Sequence, residues 1–202
     1  KYWAGGITGG TGGMSSTISS CINEGQVQGA DVTGGIIGTA NSGTTVASCI
    51  NNGGITDAAK CAGGIIGSSS SGGNTVSKSA NTGNVTGVTN AGGIIGGTSA
   101  AGDAIDNCYN GGDITATGNQ AVAAGIFGYN NPSSPIKACI NDGKITAPNN
   151  GTVYQIGVSN YWYDQATGSK IATCFYIDEN GKIYAVAEDG KGEAAEQKDM
   201  TR

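Results

Sequence analysis

The sequence predicts an all-β chain wound as a parallel β-helix, a β-solenoid with coils of about 29 residues and a C-terminal capping hairpin. Three observations point there. Gly-Gly-Ile-x-Gly recurs at residues 5–9, 34–38, 63–67 and 92–96, in three successive steps of 29, and the variant Ala124-Gly125-Ile126-Phe127-Gly128 follows. A second motif, [Ile/Val]-x-x-Cys-x-Asn-x-Gly-x-[Val/Ile], alternates with the first. The composition disfavours helices, with 38 Gly, 21 Ile and no Leu in 202 residues; β-branched and turn-forming residues stand where helix formers would be.

The second motif reads Ile18-Cys21-Asn23-Gly25-Val27, Val46-Cys49-Asn51-Gly53-Ile55, Val76-Ser79-Asn81-Gly83-Val85, Ile105-Cys108-Asn110-Gly112-Ile114 and Ile136-Cys139-Asn141-Gly143-Ile145; a degraded sixth copy keeps Ile171 and Cys174. One unit cannot bury its own apolar face, so units stack, about 4.8 Å apart, and equivalent residues form columns. Two or three short strands per coil are expected. Ile7, Ile36, Ile65, Ile94 and Ile126 make the clearest core column, and the flanking glycines permit close approach of the opposite wall. Cys, Asn, Gly and Ile two apart share an inward strand face. The apolar residue three before Cys is out of phase, which calls for a bulge or corner between them.

The column Cys21, Cys49, Ser79, Cys108, Cys139, Cys174 reads as small buried side chains, because Ser79 is accepted in it. Free thiols are favoured over bridged neighbours or a metal site, and Cys61 lies off the column as a lone thiol. The Asn column reads as a corner ladder of amides that bond up and down the stack and tolerate the left-handed turn beside a Gly, ahead of a ligand-binding row.

A net charge of −5 argues against nucleic acid as a partner. The absence of His removes imidazole catalysis and His-ligated metals. No cofactor or metal is expected: Asp178-x-Asn180-Gly181 lacks the other ligands of a calcium loop. No apolar run is long enough to span a membrane. Residues 154–202 hold 13 of the 25 charged residues but 5 of the 38 Gly. The expected division is 1–153 for the repeats, 154–187 for the last coil and cap, and 188–202 for a mobile tail or the start of another module. Asn180-Gly181 between alternating runs signals a type I′ hairpin. The chain opens inside a motif, without a signal peptide, so it reads as part of something longer.

Three sets of residues are candidates for contact. Tyr161, Trp162 and Tyr163 would stack on sugar faces, or else cap the open end of the core. Two apolar columns, Ile37, Ile66, Ile95 and Phe127, and Ile22, Ile50, Tyr109, Ile140 and Phe175, have an outward phase. A strand bend would instead turn them inward as a second core layer, the reading favoured for both. Glycoside hydrolysis needs two matched carboxylates. The acids Asp31, Asp57, Asp103, Asp106, Asp113 and Asp142 are scattered, and only Asp106 and Asp113 share a repeat. The chain therefore reads as non-catalytic.

Gly35-Ile36-Ile37-Gly38, Gly64-Ile65-Ile66-Gly67, Gly93-Ile94-Ile95-Gly96 and Gly125-Ile126-Phe127-Gly128, alternating with the Cys-x-Asn-x-Gly-x-Val motif, resemble the GLUG-motif repeats. Those repeats occur in large surface proteins of gut and mucosal bacteria and beside M26-type immunoglobulin A peptidases. The resemblance spans residues 4–178 and implies a secreted, extracellular repeat region of the bacterial cell surface. The peptidase's zinc-binding HExxH motif does not carry over to a chain without His. The expected function is a structural or adhesive module, monomeric, presenting a rigid rod to a host or cell-wall glycan or protein. The alternative is a carbohydrate-binding or carbohydrate-active β-helix.

Overall fold

A computed structural model describes residues 2–13, 15–57, 59–98, 100–129, 134–157 and 171–186. These residues form a β-solenoid of five turns with strands of a sixth. None of them is in a helix long and apolar enough to cross a membrane.

Each turn gives one short strand to each of five sheets, rather than two or three. In the second turn these are Val32–Gly34, Ile37–Ala40, Thr45–Ala47, Ile50–Asn51 and Ile55–Asp57, which define the first to fifth faces. Segments of two to four residues are too short for alternation to show in the sequence. Neighbouring turns pair in parallel and in register: Trp3 lies on Val32, Val32 on Cys61 and Cys61 on Asn90, 29 residues apart each time. Insertions move the next partners to Val122 and Thr152 without shifting the columns.

Two kinds of corner set the cross-section. Before each Cys-column residue the backbone turns left-handed, at Ser20, Ser48, Lys78, Asn107, Ala138 and Thr173, with φ between 50° and 56°. This is the expected corner, and it lets Val46 and Cys49 both point inward. The expected left-handed turn at Asn beside Gly is not observed: no Asn of the column has a positive φ. Gly53 and its equivalents have ordinary φ, and a Cβ on Gly53 would stand 1.9 Å from the Gly25 carbonyl oxygen. Gly53, Gly83, Gly112 and Gly143 are glycines for lack of space.

At the second kind of corner, Gly-Gly-Ile, two successive amides share one carbonyl. Ile36 N and Ile37 N both donate to Ile65 O, at 3.0 and 2.9 Å, and Ile65 N and Ile66 N repeat this on Ile94 O. Such a bulge turns two consecutive side chains to the same side. Ile36, Ile65, Ile94, Ile126 and the sixth-turn Ile156 are fully buried, and so are Ile37, Ile66, Ile95 and Phe127. The latter four were a candidate contact stripe; they are core. Ile7, in the first described turn, stacks on Ile36 of the second and is 48% exposed.

The Gly-Gly corner also divides the interior. A Cβ on Gly35 would lie 2.3 Å from Cγ of Asn51, across the coil on the fourth face, and Gly64, Gly93 and Gly125 meet Asn81, Asn110 and Asn141 in the same way. One core lies among the second, third and fourth faces and holds the Ile columns, Val46, Val76, Ile105 and the buried thiols. The other lies between the first and fifth faces and holds Ala62, Ala91 and Ala123 against Ile55, Val85 and Ile114.

The strands Phe175–Ile177 and Ile183–Ala185 form the only antiparallel pair among the described residues. This is the expected hairpin, but its turn is not type I′. Gly181 alone is left-handed, with φ 77°. Gly181 N donates to Asp178 O and Asp178 N to Lys182 O, both at 2.9 Å. That is a three-residue loop with a left-handed glycine. Tyr176 stacks on Tyr184 at 5.0 Å.

Candidate functional site

The fourth face carries the most regular chemistry of the described residues, and alternation explains it. In Cys49-Ile50-Asn51 the first and third side chains point in, so the middle one must point out. Three columns result.

The Asn column is the expected ladder. Nδ2 of Asn23, Asn51, Asn81 and Asn110 donates to Oδ1 of the Asn in the next turn at 2.7, 2.7, 2.8 and 2.8 Å. The second Nδ2 hydrogen goes to the glycine carbonyl two residues on, at 2.7–2.9 Å for Asn51, Asn81 and Asn110. Asn141 donates to Gln155 Oε1 at 3.4 Å, which continues the row into the sixth turn. Each buried amide is thereby satisfied, which removes the cost of its desolvation.

The Cys column is a row of free thiols. Cys49, Cys108 and Cys139 each donate Sγ–H to the carbonyl two residues back, at 3.4, 3.4 and 3.1 Å, and Ser79 does the same at 2.9 Å. Burial pushes the Cys49 thiol up. The thiols of Cys108 and Cys174 on either side, and then burial, push Cys139 up. Within the column the Cys139 thiol donates to Cys108 and holds it below the ordinary thiol range, while Cys49 and Cys139 stay protonated, and a protonated thiol is a poor nucleophile and a poor metal ligand. Burial and the acceptance of Ser79 make the column packing material. Cys61 lies outside it, half-buried, accepting from Asn90 Nδ2 at 3.5 Å; burial pushes its thiol up as well.

The outward column is Ile22, Ile50, Ala80, Tyr109, Ile140 and Phe175, each paired with the next. Ile22 is 56% exposed, Ile50 and Ile140 37% each, and the others are half-buried. The inward reading of this column is therefore corrected: it forms a solvent-facing apolar ridge. A polar row runs beside it, with Asn52 Nδ2 donating to Glu24 Oε1 at 3.0 Å, Thr82 Oγ1 to Asn52 Oδ1 at 2.7 Å, and Tyr109 OH to Asp142 Oδ2 at 3.2 Å.

A further polar ladder, at the corner between the second and third faces, escaped the sequence reading because its members differ in type. Thr44 N donates to Asn74 Oδ1 at 2.8 Å, Asn74 N to Asp103 Oδ1 at 3.0 Å, and Asp103 N to Ser134 Oγ at 3.2 Å. Asp103 is fully buried, and its Oδ2 has no hydrogen bond among the described residues. Burial raises its carboxyl above the usual range. The folded state thus holds the proton more tightly than the unfolded chain, so this contribution to stability is present at acid pH and is lost as pH rises through the folded value. Asp103→Asn keeps the acceptor oxygen and matches Asn74 one turn earlier. It is expected to stabilise the protein by about 1–2 kcal/mol at pH 7. Urea unfolding should show this gain shrinking to nothing near pH 4.

Two hollows are found on the described surface. One, about 660 Å³, is lined by Tyr2, Trp3, Gly9, Gly10 and Asp31. Tyr2 and Trp3 are 80% and 52% exposed, and Asp31 pairs with Lys60 at 2.9 Å. The other, about 460 Å³, lies beneath the C-terminal hairpin. Asp178 there serves its own turn, with Oδ1 accepting from the Asn180 and Lys182 amides at 2.9 and 2.8 Å. The Lys182 amide leads the contacts that hold its carboxyl below the usual range. Tyr161, Trp162 and Tyr163 lie outside the described residues, as does the 188–202 segment.

No protein-family model matches this chain, and no curated protein does. Among solved structures, the chain is similar to a protein from Bacteroides ovatus assigned provisionally as an immunoglobulin A1 protease, with a TM-score of 0.67 and 20% identity. The match covers 94% of this chain and 63% of the other, so this chain spans less than two thirds of that protein's length. At that identity the likeness is one of fold.

Proposed function

We propose that the chain is a non-catalytic structural and adhesive module of a secreted bacterial surface protein, a GLUG-type rod that acts by contact. The observation that carries this is the fourth-face ridge, which presents Ile22, Ile50, Tyr109, Ile140 and Phe175 to solvent on a backbone locked by the Asn ladder. Apolar rows rimmed by polar side chains are a usual feature of contact surfaces. The resemblance to repeats found beside immunoglobulin A peptidases, and the fold shared with a provisional protease of that kind, make host glycoproteins the partner class to try first. A second reading, carbohydrate binding, is favoured by Trp3 and Tyr2, exposed aromatics beside the Asp31 carboxylate over a floor of Gly9 and Gly10; aromatic faces of this kind stack on sugars.

The test is biolayer interferometry of the whole chain against immunoglobulin A and mucosal glycoproteins, together with a glycan array. The double variant Ile22→Asp and Ile50→Asp is expected to weaken protein binding at least about tenfold, while Thr56→Asp, on the exposed side of the fifth face, binds as wild type. Binding lost in Trp3→Ala but kept in the ridge variant favours the glycan reading. Binding unchanged in the ridge variant, or no binding by wild type, contradicts the ridge.

A further inference from the structure

The fifth face ends early within the described chain. Among the described residues the first and third faces have six strands and the fourth has seven, and the second gains a sixth-turn partner through the bridge Phe127–Gly157. The fifth has five and stops at Ile145–Thr146. The reason is local: after the sixth strand of the fourth face the described chain, up to Val186, doubles back as the hairpin instead of turning the corner onto the fifth face.

The edge left behind is specific in its chemistry. In each earlier turn the first β-branched residue of this face donates its amide to the following turn: Val27 to Gly54 O at 2.9 Å, and Ile55, Val85 and Ile114 to Asn84, Asp113 and Lys144 O at 2.8 Å. The amide of Ile145 has no such acceptor among the described residues. The apolar column tells the same story. Ile55, Val85 and Ile114 are buried, whereas Ile145 and Ala147 are half-buried against the same core. The 460 Å³ hollow lies over this edge, and its walls bring four carboxylates, Asp113, Asp142, Asp178 and Glu179, against one cation, Lys144.

We propose that this edge is a β-augmentation site for an extended basic peptide. Its backbone would pair in parallel with Ile145–Thr146, a β-branched side chain would extend the Val27–Ile145 column over the core, and flanking Lys or Arg would face the carboxylates. The edge is distinct from the ridge and the partner is of another class. Open edges invite pairing, and the register is set by the β-branched residue, since a one-residue slip turns it to solvent.

The chain supplies its own probe. A fluorescent peptide with the sequence of residues 143–147, Gly-Lys-Ile-Thr-Ala, has the right phase and one basic residue. Fluorescence polarisation with the whole chain is expected to show saturable binding that weakens with added salt. Ile145→Pro removes the free amide and is expected to weaken binding at least about tenfold. Glu179→Lys, an exposed change in the hairpin loop that leaves the strand intact, should weaken it several-fold. The Ile22→Asp and Ile50→Asp ridge variant should bind the peptide like wild type, so failure of the ridge and failure of this site are distinguishable. No saturable binding, equal binding of a peptide with Lys and Ile exchanged, or a dimer that the peptide fails to dissociate would each overturn the proposal.

Discussion

Asn81→Asp is expected to destabilise the protein by about 3–5 kcal/mol at neutral pH. Asn81 is fully buried, and its Nδ2 donates to Gly83 O at 2.7 Å and to Asn110 Oδ1 at 2.8 Å, while its Oδ1 accepts from Asn51 at 2.7 Å. The carboxylate is nearly isosteric and keeps the accepted bond. It sets an anionic oxygen against two acceptors instead of donating to them, in the middle of the ladder, where water cannot reach. Burial would raise the pKa of the introduced carboxyl, so the loss should shrink as pH falls and the group takes up a proton. Urea unfolding at pH 7 and pH 4 checks both the size and the pH trend. A change below about 1 kcal/mol at pH 7 would mean that the amides do not support the stack.

Gly64→Ala is expected to cost about 3 kcal/mol or more, although alanine is the smallest addition available. The added Cβ would stand 2.1 Å from the Gly93 carbonyl oxygen and 2.3 Å from Cγ of Asn81. The first obstacle is backbone of the next turn and the second is locked in the ladder, so neither can give way without breaking the register. Gly73→Ala is the control. Gly73 is left-handed with φ 69° and has nothing within 4 Å of an added Cβ; only the conformational cost of about 1–2 kcal/mol applies there. Thermal unfolding of the two variants separates glycine needed for space from glycine needed for its φ.

Much of this molecule was legible because it is written five times. The Ile36 and Asn51 columns, the corner before Cys49 and the Cys column follow from period and phase. What could not be read has local causes. The step of two residues fails at Gly-Gly-Ile, where Ile36 and Ile37 amides share the Ile65 carbonyl, and so Ile37, Ile66, Ile95 and Phe127 are core instead of a contact stripe. Only one of the two apolar columns sits beside such a bulge. Ile50, between inward Cys49 and Asn51, has no means of turning in. Glycine after Asn suggests a left-handed turn, but the left-handed residues are Ser48, Lys78 and their equivalents, which carry no glycine signal. The corner ladder that starts at the Thr44 amide was hidden because three residue types, Asn74, Asp103 and Ser134, serve one role, accepting the backbone amide of the preceding turn.

The candidate site is a by-product of the same architecture. The amide ladder fixes the fourth-face strands, and alternation then obliges Ile22, Ile50, Tyr109, Ile140 and Phe175 to line up outside. A rod of this kind presents a row whose spacing is that of the backbone, independent of the polar residues beside it.

The measurement that bears most directly on this account is hydrogen exchange of the Asn side-chain amides by NMR. The ladder requires the Nδ2 hydrogens of Asn51, Asn81 and Asn110, each held by a glycine carbonyl and by the next Asn or its equivalent, to exchange as slowly as the core backbone amides, through global unfolding. Exchange at the rate of free asparagine in the folded protein would contradict it.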